Sequence, residues 1–385
     1  LLLSFALLGL FPLLSRLLLR WLKARRALAS YTRPRQFDDN LIVIGAGSGG
    51  LVASLIAATV NAKVSLVERH RMGGDCLNTG CVPSKALIRS ARIADYLRNA
   101  DRYGMDAVQP NVRFADVMER VQGAIKRIEP HDSVERYTGL GVNCIQGDAR
   151  LVSPWEVEID GRRRSARNIV LASGARPRVP DIPGLEQLDY LTSDTVWELR
   201  EPPTHLLVLG AGPIGCELAQ AMGRLGVQVT LVTHAAGVLP REDDEVAELV
   251  GDALAHNGIR VLSRSEPLRF EQTDSGGCCY LATAEGETCV EFDRLLLAVG
   301  RSPNVEGMGL EALGIGLTDH GTVEVDDYLR TAVPTIYACG DVAGPYQFTH
   351  MASHQAWYAA VNSLFGLFRK FRVDYSIVPW ATFTD

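Results

Sequence analysis

The sequence contains little cysteine and shows no extreme of composition. Eight cysteines in 385 residues are too few for a small secreted scaffold held together by disulfides. Charged residues make up 22% and hydrophobic residues 47% of the chain, which is ordinary globular composition and excludes a disordered protein. The chain is too long for one ordinary core, so two or three domains are expected.

The first 37 residues lack acidic side chains but carry seven basic ones, so the rest of the chain is more acidic than the net charge of −6. This excess of acid argues against a nucleic-acid partner.

A complete membrane span needs about 20 apolar residues, whereas residues 1–15 form a shorter apolar run that basic residues follow. We predict that residues 1–36 associate with a membrane and that the globular body is cytoplasmic. A packed amphipathic arm is the alternative, and the start at Leu1 suggests a fragment or a processed form.

A short apolar run at residues 41–44 predicts a buried parallel strand. A glycine-rich turn follows it, then a predicted helix at residues 51–60 and a second strand at residues 63–67, which Glu68 ends. The glycines of the turn are Gly45, Gly47 and Gly50. This order of strand, glycine turn, helix and acid predicts a dinucleotide site. The helix N-terminus would attract a pyrophosphate, and Glu68 would accept a hydrogen bond from a ribose hydroxyl.

The same pattern occurs again from residues 206–209, with a second strand at residues 228–232. The glycines of this second turn are Gly210, Gly212 and Gly215. Thr233 stands where the first pattern has its acid, so the carboxylate that would exclude a 2′-phosphate is missing. The neighbouring His234 could favour such a phosphate. Two dinucleotide sites indicate an electron relay, in which one cofactor stays bound and the other delivers hydride.

Cys76 and Cys81 lie in the segment GGDCLNTGCVPSK, residues 73–85. Two cysteines with four residues between them can lie near one face of an irregular first helical turn, within bridging distance. A helix N-terminus stabilises a thiolate. Lys85 follows Cys81 by four residues, so its cation is expected on the same face, where it would stabilise negative charge. A zinc half-site is the alternative, but no matching ligands occur at metal spacing, and we predict no metal site.

The other six cysteines are expected to be ordinary buried or half-buried thiols. They are Cys144, Cys216, Cys278, Cys279, Cys289 and Cys339.

Residues 73–85 resemble, almost residue for residue, the active-site signature of the pyridine nucleotide–disulfide oxidoreductases. These flavoproteins include dihydrolipoamide dehydrogenase, glutathione reductase and mercuric reductase. The resemblance runs from about residue 38 to the C-terminus. Residues 172–177 and 298–304 resemble the two crossovers of the flavin domain, and residues 336–341 resemble its second flavin motif.

The resemblance implies that the first fold binds FAD and the second binds NAD(P)H. The residues expected at FAD are Gly45, Gly47, Gly50, Glu68, Gly74, Ser173, Gly174 and Asp341. The residues expected at NAD(P)H are Gly210, Gly212, Gly215, Thr233, His234 and Gly300. Cys81 corresponds to the thiol that touches the flavin and Cys76 to the thiol that exchanges with the acceptor. Lys85 corresponds to a lysine near the flavin, with Glu217 as its ion-pair partner.

The predicted fold class is α/β, with two doubly wound nucleotide-binding domains of Rossmann type, the second inserted in the first. The expected divisions are a membrane-associated segment (1–36), two parts of an FAD domain (37–185 and 300–372), an NAD(P) domain (186–299) and the start of a dimerisation domain (373–385). The rest of that last domain is expected to be missing. In the family it forms the homodimer and supplies a catalytic base from the partner subunit.

The predicted function is transfer of hydride from NAD(P)H through FAD to a Cys76–Cys81 disulfide, and then to a small-molecule disulfide or a soft metal ion. One alternative is a membrane-associated NAD(P)H:quinone reductase, which does not require the two cysteines. Another is a redox sensor that controls a membrane domain and has no turnover of its own. The whole chain is similar to a bacterial branch of the family, in which a membrane domain of the SNARE-associated type precedes a module like mercuric reductase.

Overall fold

The computed structural model describes Ser15 and residues 28–385. Most of the predicted membrane segment, residues 1–14 and 16–27, lies outside the described residues. Within the described part, none of the helices has both the length and the apolar character that crossing a bilayer requires.

The chain folds as two compact units, each assembled from separate stretches of sequence. The first unit contains the described residues up to Gly74, together with Pro130–Ala175 and Pro303–Val378. The second contains Asp75–Glu129, Arg176–Ser302 and Pro379–Asp385.

Strands and helices are numbered in chain order. The strands are β1 (Asp39–Ile44), β2 (Val64–Glu68), β3 (Val142–Gln146), β4 (Ala149–Ser153), β5 (Glu156–Ile159), β6 (Arg162–Leu171), β7 (Ala175–Pro177), β8 (Tyr190–Thr192), β9 (His205–Leu209), β10 (Gln228–Val232), β11 (Arg260–Leu262), β12 (Glu266–Thr273), β13 (Gly276–Thr283), β14 (Gly286–Phe292), β15 (Arg294–Leu297), β16 (Arg301–Pro303) and β17 (Ile336–Ala338). The helices are α1 (Ser48–Thr59), α2 (Gly74–Asn78), α3 (Cys81–Arg98), α4 (Phe114–Ile128), α5 (Val134–Gly139), α6 (Pro213–Arg224), α7 (Asp244–His256) and α8 (Thr349–Phe365).

The first unit is built on a parallel sheet with the strand order β3, β2, β1, β6 and β17. Strands β4, β5 and β6 also form an antiparallel meander, in which β5 lies between β4 and β6. Leu41, Ile42 and Val43 of β1 are fully buried, as expected for a parallel strand that is covered on both faces. Helix α1 packs against α8, and its buried alanines and glycines allow that close approach.

The second unit contains a parallel sheet with the strand order β11, β10, β9, β15 and β8, and a separate antiparallel sheet of β12, β13 and β14. Apolar side chains of helices α3, α4 and α6 share one core in this unit, for example Leu87, Met118 and Met222, which are fully buried. Each unit therefore holds a parallel sheet with a strand–glycine turn–helix at its centre, and the predicted α/β fold class is confirmed.

Two local predictions differ from the structure. The helix predicted at residues 51–60 begins earlier, at Ser48, because Gly49 and Gly50 belong to its first turn. Cys76 and Cys81 do not share one helical turn, since Cys76 lies in α2 and Cys81 is the first residue of α3. Gly80 separates the two helices, and its backbone angles are not helical.

The prediction that all six other cysteines are ordinary thiols was wrong for two of them. Cys278 and Cys289 form a disulfide across strands β13 and β14. The register pairs Cys278 with Glu291 and Tyr280 with Cys289, so the two cysteines are diagonal neighbours on one face. Their Cα atoms are 6.0 Å apart, within the range for a disulfide. The two cysteines are 11 residues apart in the sequence, and the register of this hairpin brings them together.

Candidate active site

The first glycine turn leaves no space for side chains. Gly45 has a φ of +100°, and a Cβ added there would lie 2.4 Å from the carbonyl oxygen of Ala172. A Cβ on Gly50 would lie 1.7 Å from the carbonyl oxygen of Gly45. Only glycine fits at these two positions, because any Cβ would overlap backbone atoms. The contact holds the first turn of α1 against the end of β1.

Glu68, at the end of β2, closes this turn from the neighbouring strand. Its Oε2 accepts a hydrogen bond from the backbone N–H of Ala46 at 2.7 Å, and its Oε1 accepts one from the N–H of His70 at 2.8 Å. Each carboxylate oxygen keeps a further acceptor site. Glu68 is half-buried, so it remains able to accept a hydrogen bond from a ribose hydroxyl.

The other residues predicted at FAD reach the same edge of the sheet. Ile44 of β1 and Ala338 of β17 are both in register with Leu171 of β6. The loops that follow these parallel strands therefore emerge side by side. They carry Gly45, Gly47 and Gly50, then Ser173 and Gly174, and then Asp341.

Contacts within the first unit support these loops. The Ser173 hydroxyl donates to the carbonyl of Asn304 at 2.8 Å. Gly74 lies against Gly47, since a Cβ on Gly74 would come within 2.6 Å of the Gly47 Cα. The buried side chain of Gln355 accepts from the N–H of Gly340 at 2.6 Å. Sequence reasoning missed Gln355, because a single glutamine on a helix carries no recognisable pattern.

The second glycine turn repeats this geometry in the second unit. Gly210 has a φ of +102°, and a Cβ there would lie 2.4 Å from the carbonyl oxygen of Ala298. A Cβ on Gly215 would lie 1.9 Å from the carbonyl oxygen of Gly210. A Cβ on Gly212, by contrast, would meet no atom within 4 Å. The space beside Gly212 is open in front of the N-terminus of α6.

The strand ends of the second sheet bring the remaining nicotinamide-site candidates to this edge. Leu209 of β9 is in register with Val232 of β10 and with Leu297 of β15. Thr233 is buried, and its hydroxyl accepts a weak hydrogen bond from the N–H of Ala235 at 3.2 Å. His234 is exposed. Gly300, with a φ of +107°, lies in the loop after β15 and has open space around it.

Hydrogen bonds hold the segment between the two candidate redox cysteines. The N–H of Gly80 donates to the carbonyl of Asp75 at 2.5 Å. The indole of Trp197 donates to the carbonyls of Thr79, at 2.9 Å, and of Ser193, at 2.7 Å. Asp75 forms an ion pair with Arg301, whose side chain is nearly buried. Neither Trp197 nor the Asp75–Arg301 pair was anticipated, because these partners are far from the loop in sequence.

Lys85 pairs with Glu217 across the second unit. The Lys85 Nζ lies 2.7 Å from the Glu217 Oε2, and the side chains are 38% and 8% exposed. The other oxygen of Glu217 accepts from the N–H of Phe383 at 2.9 Å, and the Phe383 ring lies 4.3 Å from the Lys85 Nζ. The ammonium group is thus held one helical turn from Cys81 by a nearly buried carboxylate.

Burial separates the cysteines into reactive and unreactive candidates. Cys81 is exposed and Cys76 half-buried. Burial raises the pKa of Cys216, Cys279 and Cys339 to about 12 each. Because the thiolate is the nucleophile, these three thiols are inert near neutral pH. Burial also raises the pKa of the half-buried Cys144, so Cys76 and Cys81 are the better placed thiols for exchange chemistry.

Two dinucleotide-type turns and a pair of accessible cysteines define a class of protein, the dinucleotide-dependent redox proteins that work through thiols. Residues 39–356 match the family described as pyridine nucleotide-disulphide oxidoreductase, and the chain belongs to this family. Its members use FAD and NAD(P)H.

Relatives of the chain within the family include mercuric reductases and dihydrolipoyl dehydrogenases. The chain is 33% identical over 349 residues to a mercuric reductase of Bacillus cereus, and this match covers 91% of the chain and 55% of the relative. It is 37% identical over 337 residues to a dihydrolipoyl dehydrogenase of Zymomonas mobilis, covering 83% of the chain and 70% of the relative. The chain thus spans little more than half of the Bacillus cereus mercuric reductase.

Solved structures show the same fold. The flavoprotein disulfide reductase RclA of Escherichia coli, in its Cu(II) complex, superposes with a TM-score of 0.75 at 24% identity. The superposition covers 87% of this chain and 73% of RclA. At this identity the likeness supports the fold alone.

The different spaces at Gly212 and Gly215 predict opposite results of the same substitution. Gly215→Ala should lower the free energy of unfolding by about 1–3 kcal/mol, because its Cβ would overlap the Gly210 carbonyl. Gly212→Ala should leave stability unchanged, since Gly212 has an ordinary φ of −76° and open space. It should instead raise the Kd for NADPH about tenfold, which equals about 1.4 kcal/mol, because its methyl group would obstruct the pyrophosphate. Urea unfolding and NADPH titration test this, and a Gly212→Ala variant as unstable as Gly215→Ala would contradict it.

The Lys85–Glu217 pair predicts unequal losses when either partner is changed. Lys85→Met leaves a nearly buried carboxylate whose one remaining partner within residues 28–385 is the Phe383 N–H, so stability should fall by about 1–3 kcal/mol. Glu217→Gln should cost less, about 0.5–1.5 kcal/mol, because the half-exposed ammonium can be hydrated. The free energies of unfolding in urea measure both. A larger loss of stability for Glu217→Gln than for Lys85→Met would contradict this prediction, because it would show that the lysine depends on the ion pair more than the carboxylate does.

Proposed function

We propose that the protein is an FAD-dependent oxidoreductase that passes electrons from NAD(P)H to the Cys76–Cys81 pair, and then to a disulfide or a thiol-bound soft metal ion. The observation that carries this proposal is the position of Cys81. It is exposed, it is the first residue of helix α3, and it stands one turn before the Lys85 cation. A helix N-terminus and a nearby cation both stabilise a thiolate.

The described residues fit the two cofactors. Helices α1 and α6 both begin after a glycine with no side-chain cap, so their first N–H groups are available to a pyrophosphate. Glu68 is the last residue of β2 and Asp341 lies in the loop after β17, where they would hold the ribose and the ribityl chain of FAD. FAD would supply the carrier that takes hydride from NAD(P)H and passes electron pairs to sulfur.

The chain's own residues would then perform thiol exchange. Cys76 would attack the acceptor as a thiolate, and Cys81 would resolve the mixed disulfide that results. Lys85 would stabilise negative charge near Cys81, and Glu217 would hold the ammonium in position. The names of the relatives, mercuric reductase and dihydrolipoyl dehydrogenase, support an acceptor that is a disulfide or a soft metal ion.

Electron counting tests the proposal. Anaerobic dithionite titration of the FAD-loaded protein should consume two more electrons per FAD than titration of the Cys76→Ser/Cys81→Ser variant, because a disulfide takes two electrons. NADPH should likewise produce two additional alkylatable cysteines, which mass spectrometry assigns to Cys76 and Cys81. Equal electron counts would refute the proposal. Quinone turnover retained by the double variant would then favour a quinone reductase, and reduction of FAD without any turnover would favour a redox sensor.

We expect the second fold to accept NADPH as well as NADH, because Thr233 offers no carboxylate against a 2′-phosphate, while the exposed His234 is available to one. We expect His234→Ala to lower the ratio of NADPH to NADH efficiency, measured as kcat/KM for FAD-dependent reduction of an acceptor. An unchanged ratio would remove His234 from the phosphate site.

We further propose membrane attachment through residues 1–36, a cytoplasmic body and a homodimer of the full-length protein. The apolar run followed by basic residues supports the first two, and the family resemblance supports the third. Flotation with lipid vesicles, with and without residues 1–27, tests attachment, and analytical sedimentation of the full-length protein tests the dimer. Equal flotation of both forms, or a monomer, would contradict the respective proposal.

A further inference from the structure

An apolar turn projects into solvent at the end of helix α8, in the first unit. Leu367 and Phe368 are 98% and 90% exposed, which makes them the most exposed large hydrophobic side chains in the part of the chain that the structure describes. Phe365, the last residue of α8, is also exposed. We call these three residues the apolar tip. A cluster of exposed large apolar side chains marks a surface that contacts something else.

Hydrogen bonds hold the apolar tip in place. The buried side chain of Asn362 accepts a hydrogen bond from the N–H of Phe371 and donates one to the Phe371 carbonyl, both at 2.8 Å. The N–H groups of Phe368 and Arg369 donate to the carbonyl of Phe365 at 2.9 Å and 3.1 Å. The backbone of the turn is therefore fixed at both ends, and the exposure of its apolar side chains is built into the fold.

Basic side chains follow the apolar tip directly. Arg369, Lys370 and Arg372 are all exposed. The guanidinium group of Arg369 lies 4.8 Å from the centroid of the Phe371 ring, a contact that leaves its charge facing solvent. Aromatic and leucine side chains beside arginine and lysine are typical of segments that lie in the interface of a bilayer.

The apolar tip lies at the edge where the first parallel sheet begins. Asn168 of β6 donates to the carbonyl of Ser363, near the end of α8, at 2.7 Å. Asn168 is also in register with Leu41, near the start of β1. The end of α8 and the segment that leads into β1 therefore reach the same edge of the sheet.

Further cations lie at this edge. Arg33 and Arg167 contact the ring of Phe37, which precedes β1, with the guanidinium carbons 5.7 Å and 5.9 Å from its centroid. Both arginines are exposed, as are Arg35 before β1 and Lys63 before β2. The edge thus combines the apolar tip with positive charge from segments that are far apart in the chain.

The neighbouring carboxylates do not cancel this charge. Asp39 pairs with Arg164, and Asp327 lies 3.8 Å from Arg372. Asp38 and Asp374 are exposed, but they oppose the larger group of exposed cations formed by Arg33, Arg35, Lys63, Arg167, Arg369 and Lys370. A chain with a net charge of −6 therefore presents one local surface that is apolar and positive.

This combination selects among possible partners. A second copy of the chain, related by a twofold axis, would place the same cations opposite each other, and like charges that face each other disfavour association. A bilayer that contains anionic lipids matches both features, because its headgroups attract the cations and its interior accepts the apolar side chains.

We propose that the edge at which the first sheet begins is a membrane-docking surface. Leu367 and Phe368 insert into the headgroup region of a bilayer, while Arg369, Lys370 and the cations around Phe37 contact anionic lipid headgroups. This surface belongs to the folded first unit and is distinct from the attachment proposed for residues 1–36. It does not rest on the redox function.

Partition of the full chain into lipid vesicles tests the surface. Binding is measured by flotation near half-saturation, with vesicles of phosphatidylcholine alone or with about 30% phosphatidylglycerol as the anionic lipid. Wild type is compared with Leu367→Ser/Phe368→Ser and with Arg369→Gln/Lys370→Gln. Thermal unfolding of each variant should give the wild-type Tm, because all four side chains are exposed.

Two control variants remove similar side chains elsewhere. Leu249→Ser removes an exposed leucine of α7, and Lys126→Gln/Arg127→Gln removes two adjacent exposed cations of α4. Neither control should change the partition coefficient by more than about twofold, since one or two exposed side chains outside the docking surface contribute little to binding.

The two tip variants should differ in a characteristic way. Leu367→Ser/Phe368→Ser should lower the partition coefficient about tenfold on both kinds of vesicle, because it removes the inserted apolar area. Arg369→Gln/Lys370→Gln should lower it about tenfold on the anionic vesicles alone. About 0.5 M NaCl should remove the effect of the second variant, because salt screens exposed charges.

Hydrogen exchange separates this surface from residues 1–36. In the vesicle-bound wild type, the amides of residues 364–372 should exchange more slowly than in the free protein, whereas attachment through residues 1–36 alone would leave their exchange unchanged. Wild-type partition of both tip variants, unchanged exchange, or equal losses in the controls would overturn the proposal. So would a lipid-free dimer that sedimentation shows to dissociate in the tip variants, since this would assign the surface to a second copy. The electron count per FAD is independent of all these outcomes.

Discussion

Both nucleotide-type folds depend on a backbone contact that excludes side chains. In each, the carbonyl oxygen of the first turn glycine faces the first turn of the following helix so closely that a Cβ on Gly50 or Gly215 would lie within 2 Å of it. This contact sets the helix directly behind the end of its strand. The free N–H groups of the helix then point along the edge of the sheet where the neighbouring strands also end. Every other candidate cofactor residue is arranged relative to that edge.

Parallel pairing does the rest of the assembly. Register places the ends of β1, β6 and β17 side by side in the first unit and the ends of β9, β10 and β15 side by side in the second. Residues as far apart as Gly45 and Asp341 thereby reach one edge. The parallel sheet brings together segments of the candidate site that are remote in sequence, and this explains why the candidate residues occur in short separate clusters.

The cysteines show that environment, more than residue type, decides chemical role. Three thiols are buried, and their pKa rises to about 12 because the interior disfavours the thiolate. Two others are joined across a hairpin. Cys81 stands exposed at a helix N-terminus, one turn from a cation that a nearly buried carboxylate holds in place. The same lysine and three arginines give the neighbouring groove between α3 and α4 its positive charge.

The sequence by itself determined the two strand–glycine turn–helix patterns, the α/β class and the position of the cysteine pair, because these depend on residue periodicity and on contacts within a few residues. The pairing of Lys85 with Glu217 came from family resemblance and not from any local pattern. Only the three-dimensional structure decided that Trp197 and Arg301 hold the segment of the two candidate redox cysteines, that Cys278 joins Cys289, and that arginines of α3 and α4 face one groove. Except for the hairpin disulfide, whose cysteines are 11 residues apart, these contacts join residues far apart in the chain. Their partners are selected by helix packing and strand register, which leave no periodic signal in the sequence.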